Sequence, residues 1–272
     1  MTKPPVSARA PVVACDLDGV VWRGDDAIAP AADGIAAMRD AGLRVAFVSN
    51  NSSSPVGDVV TKLDRIGIPA APDDVVTSAL AAAWLLEQSL APHARVLVCG
   101  GPGVREALAD AGFEAVDDGP AEAVVVGFHR DFDYDALERA SRVVREGARF
   151  VATNLDATYP VPGGLIPGAG SLVAAVATAA GATPEVAGKP ESPMVGIIRE
   201  RYGEIGIVVG DRPSTDGALA TALGWPFALV LSGVTAAVAP PGGEAIPNPA
   251  PPFVAADLGV LAPTLITAFH QA

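Results

Sequence analysis

The stretch that decides the fold is Val12-Val13-Ala14-Cys15-Asp16-Leu17-Asp18-Gly19. Four apolar or small residues run together without alternation, which predicts a strand buried on both faces, as in a parallel sheet. Two carboxylates and a glycine then end the strand in a polar turn. Outward from this point the chain keeps alternating. A helix is expected over Asp33 to Ala41 with Gly42 as its stop, and a second strand over Arg44 to Val48. Pro55 to Ile66 reads as the next helix and Val75 to Thr77 as a third strand. Ser78 is expected to cap a helix over Ala79 to Gln88.

The same rhythm continues. Strands are expected at Val96 to Cys99, Ala123 to Val126, Phe150 to Ala152, Gly206 to Val209 and Phe227 to Leu231. Helices are expected at Val104 to Ala111, Tyr134 to Glu146, Ser171 to Ala180, Pro193 to Tyr202 and Thr215 to Leu223. Pro240 to Pro252 reads as a surface loop, and a short strand and a helix over Leu258 to Phe269 close the chain. Such alternation predicts an α/β fold with parallel strands and helices on both faces. The units are too many for one compact sheet, so two α/β layers are expected. At roughly 150 residues per domain, 272 residues give a little under two domains.

Composition excludes several classes. The net charge is -13, from 18 basic and 31 acidic residues. A protein that tracks a nucleic-acid backbone needs a basic surface, and this chain offers none. Half of the residues are hydrophobic, which argues against a disordered chain. No run is long and apolar enough for a transmembrane helix, and Met1 to Pro11 lacks a signal-peptide pattern. Cys15 and Cys99 lie in apolar runs and are expected as buried thiols in a reducing compartment. A cytoplasmic location follows as an expectation. Of the 18 basic residues only Lys3, Lys62 and Lys189 are lysines; 15 are arginines.

In open α/β sheets, ligands bind beyond the carboxyl ends of the strands. The polar segments expected there are Asp16-Leu17-Asp18-Gly19, Ser49-Asn50-Asn51-Ser52-Ser53 and Gly210-Asp211-Arg212-Pro213-Ser214-Thr215-Asp216. A fourth, Gly188-Lys189-Pro190, precedes a helix. Two carboxylates at i and i+2 of an extended segment project the same way and repel unless a cation intervenes. Asp211 adds a third. An oxygen-only donor set without His or thiolate suits Mg²⁺. Ser49 and the N–H groups after it can bind phosphate oxygens, and Lys189 supplies a point charge. Trp22 reads as a packing residue, Arg212 as structural, and His93 and His129 as surface or satisfied residues.

Together these four segments resemble the motifs of the haloacid dehalogenase (HAD) superfamily. More closely, the chain resembles the NagD / 4-nitrophenylphosphatase-like subfamily IIA. Thr153-Asn154-Leu155-Asp156 and Pro167-Gly168-Ala169-Gly170-Ser171 are further marks of that group. The resemblance implies a Rossmann-like parallel-sheet core at residues 1–78 and 182–272. It implies an inserted α/β cap of the C2 type at 79–181, with Gly181 to Gly188 as the return hinge. It also implies a Mg²⁺-dependent phosphatase of small phosphomonoesters that works through an aspartyl-phosphate. Asp16 would be the nucleophile and Asp18 the general acid/base. Mg²⁺ would be held by Asp16, the Asp18 backbone carbonyl and Asp211, with Asp216 orienting a bound water. Ser49, Asn50 and Lys189 would bind the phosphoryl group, and Asn154 and Asp156 would face the cleft. A homodimer is a further implication.

The cap sets the substrate in this group. Glycerol 3-phosphate, 2-phosphoglycolate, sugar phosphates, nucleotides and pyridoxal phosphate all remain open. The arginine-rich, lysine-poor composition suggests a high-GC genome, and on that ground glycerol 3-phosphate is put first among the substrates the resemblance implies. A receiver-like phosphoacceptor, a non-catalytic phosphometabolite sensor and a phosphomutase are the competing classes. The intact Asp16/Asp18 pair and the inserted cap argue against them.

Overall fold

The computed structural model describes residues 11–161, 164–236 and 243–271. The expected N-terminal segment up to Ala10 and part of the Pro240 to Pro252 loop lie outside the described residues. In chain order the main elements begin with β1 (Val12–Cys15), α1 (Pro30–Asp40), β2 (Arg44–Ser49), α2 (Val56–Arg65), β3 (Val75–Thr77) and α3 (Ser78–Glu87). Then come β4 (Arg95–Cys99), α4 (Pro102–Asp110), β5 (Glu114–Val116), β6 (Ala123–Val126), α5 (Tyr134–Arg145) and β7 (Arg149–Ala152). The last are α6 (Ala169–Ala180), β8 (Glu185–Val186), α7 (Ser192–Tyr202), β9 (Gly206–Gly210), α8 (Ala218–Leu223), β10 (Phe227–Val230), β11 (Phe253–Ala255) and α9 (Leu258–Gln271). The backbone falls into two compact units.

The first unit comprises the described residues up to Val48, Val60–Val76, and those from Val195 on. Its six-stranded sheet has the order β11-β10-β9-β1-β2-β3. β1 lies in the middle, parallel to both neighbours: Cys15 pairs with Val209 on one side and Phe47 on the other. The chain builds one half of the sheet outward from β1 and later the other half, so the order reverses beside β1. That switch point is where an open α/β sheet leaves a crevice at its carboxyl edge. Every residue of β1 is buried, as the unbroken apolar run requires. α1 begins at Pro30, whose fixed φ suits a first helical position, and buries Ala31, Ile35 and Met38.

The second unit comprises Ser49–Val59 and Thr77–Met194. Its five-stranded parallel sheet has the order β8-β7-β6-β4-β5. α5 and α6 supply Ala140, Val143, Val144, Val173 and Val176 to a core with Leu97, Val124, Val126 and Phe150. Cys99 belongs to this core, and burial pushes its thiol up to about 12. It stays protonated at neutral pH, which fits a packing role rather than a reactive one. Segment 49–59 joins this unit through contacts that sequence patterns do not show. Ser52 and Thr153 share a hydroxyl hydrogen bond of 3.0 Å, and the Gly103 N–H donates to the Ser53 carbonyl.

Several local expectations need correction. Thr77, not Ser78, caps α3: its hydroxyl accepts the Leu80 N–H at 3.3 Å, and Ser78 is already helical. Its own Oγ donates instead to the Asn50 carbonyl at 2.6 Å. The helix expected from Thr215 starts as a π-helical turn over Pro213–Gly217, and regular α-helix begins only at Ala218. Glu185–Val186, inside the segment expected as a hinge, is a strand paired with β7. Two short antiparallel hairpins were not expected: Trp22–Arg23 with Asp26–Ala27, and Thr158–Val161 with Gly164–Pro167.

Candidate active site

In the first unit, β1 delivers Asp16 and β9 delivers Asp211 to the carboxyl edge at the switch point. The π-helical turn after β9 brings Asp216 back to them. One carboxylate oxygen from each of Asp16, Asp211 and Asp216 lies within 4.8 Å of the others. All three residues are buried, at 8%, 3% and 0% exposure. At an effective dielectric of about 20, unit charges this far apart repel by about 3.5 kcal/mol per pair. A proton, a cation or hydrogen-bond donors aimed at the carboxylates relieve such repulsion. A cluster of oxygens alone, with no His or Cys, suits a hard divalent ion such as Mg²⁺ better than Zn²⁺ or copper.

The backbone holds this cluster. The Val234 N–H donates to Asp211 Oδ2 at 2.6 Å, and the Arg212 N–H donates to Asp216 Oδ2 at 3.1 Å. Space is equally specified. A β-carbon at Gly233 would overlap the Asp211 carboxylate, and one at Gly19 would lie 2.5 Å from Asp211 Oδ2. Gly19 also has φ +85, which favours glycine for its own sake. Ser232 Oγ donates to the Gly19 carbonyl at 2.7 Å, which ties the loop after β10 to the loop after β1. Ser232, Gly233 and Val234 had no place in the sequence reading. The available signal was a small-residue pair directly after a strand, at the edge where ligands bind.

Asp18 is half-buried, and the Trp22 indole N–H donates to its Oδ1 at 3.1 Å. Trp22 is therefore more than the packing residue expected from its type.

The second unit gathers the other expected residues. Ser49 is 2% exposed, and its Oγ accepts the Asn51 N–H at 3.0 Å. Lys189 is 6% exposed. Its backbone is clamped by Asn50, whose Oδ1 accepts the Lys189 N–H at 2.8 Å and whose Nδ2 donates to the Lys189 carbonyl at 3.3 Å. The same Nδ2 lies 3.3 Å from Asp156 Oδ2. Asn154 Nδ2 donates to the Asn50 carbonyl at 2.7 Å, and its Oδ1 accepts the Asp156 N–H at 3.0 Å. Asn50, Asn154, Asp156 and Lys189 thus form one network. The Asn50 side chain spends both ends of its amide on it.

A parallel sheet that carries a carboxylate cluster at its switch point has the donor set for a hard divalent cation where such folds bind their ligands. Comparison with known proteins narrows this. A haloacid dehalogenase-like hydrolase model matches residues 13–114, and a HAD-hydrolase-like model matches residues 186–261. The chain is 40% identical over 227 residues to the D-glycerol 3-phosphate phosphatase of Mycobacterium tuberculosis; the match takes in 82% of this chain and 63% of that relative. It is 38% identical over 206 residues to the acid sugar phosphatase of Staphylococcus epidermidis, covering 74% of this chain and 78% of the relative. A crystal structure of the M. tuberculosis glycerol phosphate phosphatase in complex with magnesium superposes with a TM-score of 0.82 at 36% identity, over 93% of this chain and 77% of that one. The chain belongs to the haloacid dehalogenase-like hydrolases.

Proposed function

We propose that this chain is a phosphatase of small phosphomonoesters, that it works through an aspartyl-phosphate on Asp16, and that glycerol 3-phosphate heads its substrates. The cluster of Asp16, Asp211 and Asp216 at the switch point carries the proposal. The relative named D-glycerol 3-phosphate phosphatase supports the substrate. The proposed cap is the insertion at 79–181 that the family resemblance implies.

Mg²⁺ held by Asp16, Asp211 and the Asp18 carbonyl, with Asp216 orienting its water, would supply positive charge against the phosphoryl oxygens. The rest falls to the chain's own groups. An Asp16 oxygen attacks phosphorus as the ester P–O bond breaks, and Asp18 gives its proton to the departing alkoxide. Asp18 then takes a proton from a water that attacks phosphorus, which frees phosphate and restores Asp16. Ser49 and Lys189 are proposed to bind the phosphoryl group, on the strength of the motif order in the chain. Asn50 is proposed to act with them by fixing the Lys189 backbone, and Asn154 and Asp156 by fixing Asn50.

The net charge of -13 makes Lys189 important, because an acidic protein must attract an anion by local means. Arg is the default cation of this chain, so a buried Lys at 189 points to a site for a compact ammonium. Lys189→Arg is expected to lower kcat/KM by about tenfold or more, measured as phosphate release. A wild-type value would contradict the role.

A cytoplasmic location and a homodimer belong to the same proposal. Neither cysteine is in a disulfide, which fits a reducing compartment. Among the described residues no helix is long and apolar enough to cross a membrane. The experiment that tests the function is a phosphate-release screen over phosphorylated metabolites with Mg²⁺ and with EDTA. Glycerol 3-phosphate is expected among the best substrates, with EDTA abolishing release. Binding without release from any of them would point instead to a non-catalytic sensor or phosphoacceptor.

A further inference from the structure

Trp22 and Lys62 form an arrangement next to Asp18 that the motif reading does not contain. The chain after Asp18 turns back on itself. The Gly19 N–H donates to the Trp22 carbonyl at 2.7 Å, and Asp18 and Trp22 form an isolated β-bridge. This turn brings the Trp22 indole to Asp18 Oδ1 at 3.1 Å, with Trp22 only 5% exposed. Lys62, on α2, places its Nζ 4.2 Å from the centre of the Trp22 ring. The same Nζ donates to the Gly24 carbonyl at 2.6 Å and lies 3.8 Å from Asp25. Arg23 Nε donates to the Ser232 carbonyl at 2.6 Å, which fixes the other side of the hairpin.

We infer that Trp22 is a positioning residue for Asp18, held in place and polarised by Lys62. The inference rests on the reading of Asp18 as general acid and base. An indole N–H is a donor only. On Oδ1 it needs a lone pair, and the carbonyl-type oxygen of a carboxylic acid accepts better than its hydroxyl oxygen. A proton on Asp18 would therefore be carried by Oδ2, and the carboxyl cannot rotate to exchange the two oxygens without breaking the bond. Oδ2 is then the atom that protonates the leaving alkoxide and later takes a proton from water. A cation over the indole face draws electron density from the ring and makes the N–H a stronger donor. The ammonium also pins the ring, so the direction of Oδ2 is set before substrate binds. Lys62 and Lys189 are the only lysines among the described residues, and each is tied to a motif.

The leaving group separates positioning from mere packing. An alkoxide needs a proton as it departs, whereas 4-nitrophenolate leaves well without one. Trp22→Phe keeps an aromatic face, although a smaller one, and loses the N–H. In single turnovers with enzyme in excess, it is expected to slow glycerol release from glycerol 3-phosphate by about tenfold or more. The slowing of 4-nitrophenol release from 4-nitrophenyl phosphate is expected to be several-fold smaller. Equal slowing of both, or none, would overturn the inference.

A second measurement does not depend on that variant folding. Trp22, Trp84 and Trp225 are the only tryptophans, so ¹⁵N-labelled protein has three indole N–H resonances. One of them is expected to shift in Asp18→Asn, and a spectrum with all three unmoved would overturn the contact. If Asp18→Asn releases glycerol at the wild-type rate, the acid/base reading itself fails, which is a different result from equal slowing in Trp22→Phe.

Discussion

Asp16→Asn is expected to abolish phosphate release, lowering turnover by roughly 10⁴-fold or more. The carboxamide oxygen carries no charge and is a poor nucleophile, and the NH₂ end cannot attack phosphorus in its place. The substitution also removes one of three negative charges packed within 4.8 Å, so the folded protein should lose none of its stability and is expected to gain some. Those two outcomes separate a chemical role from a structural one. A variant that unfolds at a lower temperature and is inactive for that reason would have lost a buried strut. A variant that is as stable as the wild type and inactive has lost its nucleophile. Thermal unfolding and phosphate release on the same samples decide between them.

The second large effect is expected at a residue with no side chain. Gly233 leaves room for the Asp211 carboxylate, and the neighbouring Val234 N–H donates to the same carboxylate. A methyl group there must displace either the loop or Asp211. Either movement breaks the support of a metal ligand, and such losses typically cost 10–100-fold in metal affinity or activity. Gly233→Ala is therefore expected to raise the Mg²⁺ concentration for half-maximal phosphate release by about 10–100-fold, with activity partly recovered at saturating Mg²⁺. An unchanged Mg²⁺ dependence would show that the loop after β10 does not support the cluster.

The parts of this molecule that could be read from the chain are those with local causes. Val12 to Cys15 had to be a buried strand because a run of apolar residues with no polar alternate has no solvent face. Asp16, Asp18, Asp211 and Lys189 could be picked out because each sits in a short polar segment next to such a strand or before a helix. What escaped has causes that lie far along the chain. Asn50 clamps Lys189 across 139 residues, and Ser232 reaches Gly19 across 213. No period or spacing encodes either contact. Gly233 carries no chemistry of its own and shows its importance only when the Asp211 carboxylate is in place beside it.

Other misses are matters of register. Thr77 and Ser78 are both good capping residues, and only the backbone at the end of β3 decides that the helix begins at Ser78. Thr215 was a plausible helix start, but Pro213 opens a π-helical turn first, and that turn is what returns Asp216 to the cluster. Trp22 was read by its bulk alone. Its donor mattered because a tight turn after Gly19 folds it back on Asp18, four residues away.

The central claim is that phosphate passes through Asp16, and borohydride trapping tests it most directly. Enzyme quenched during turnover of glycerol 3-phosphate with Mg²⁺ is treated with borohydride, which reduces an acyl phosphate to an alcohol. Peptide mass spectrometry is then expected to find homoserine at position 16 and unmodified aspartate at positions 18, 211 and 216. Phosphate release with Asp16 unmodified under the same quench, or homoserine at another aspartate, would contradict the account.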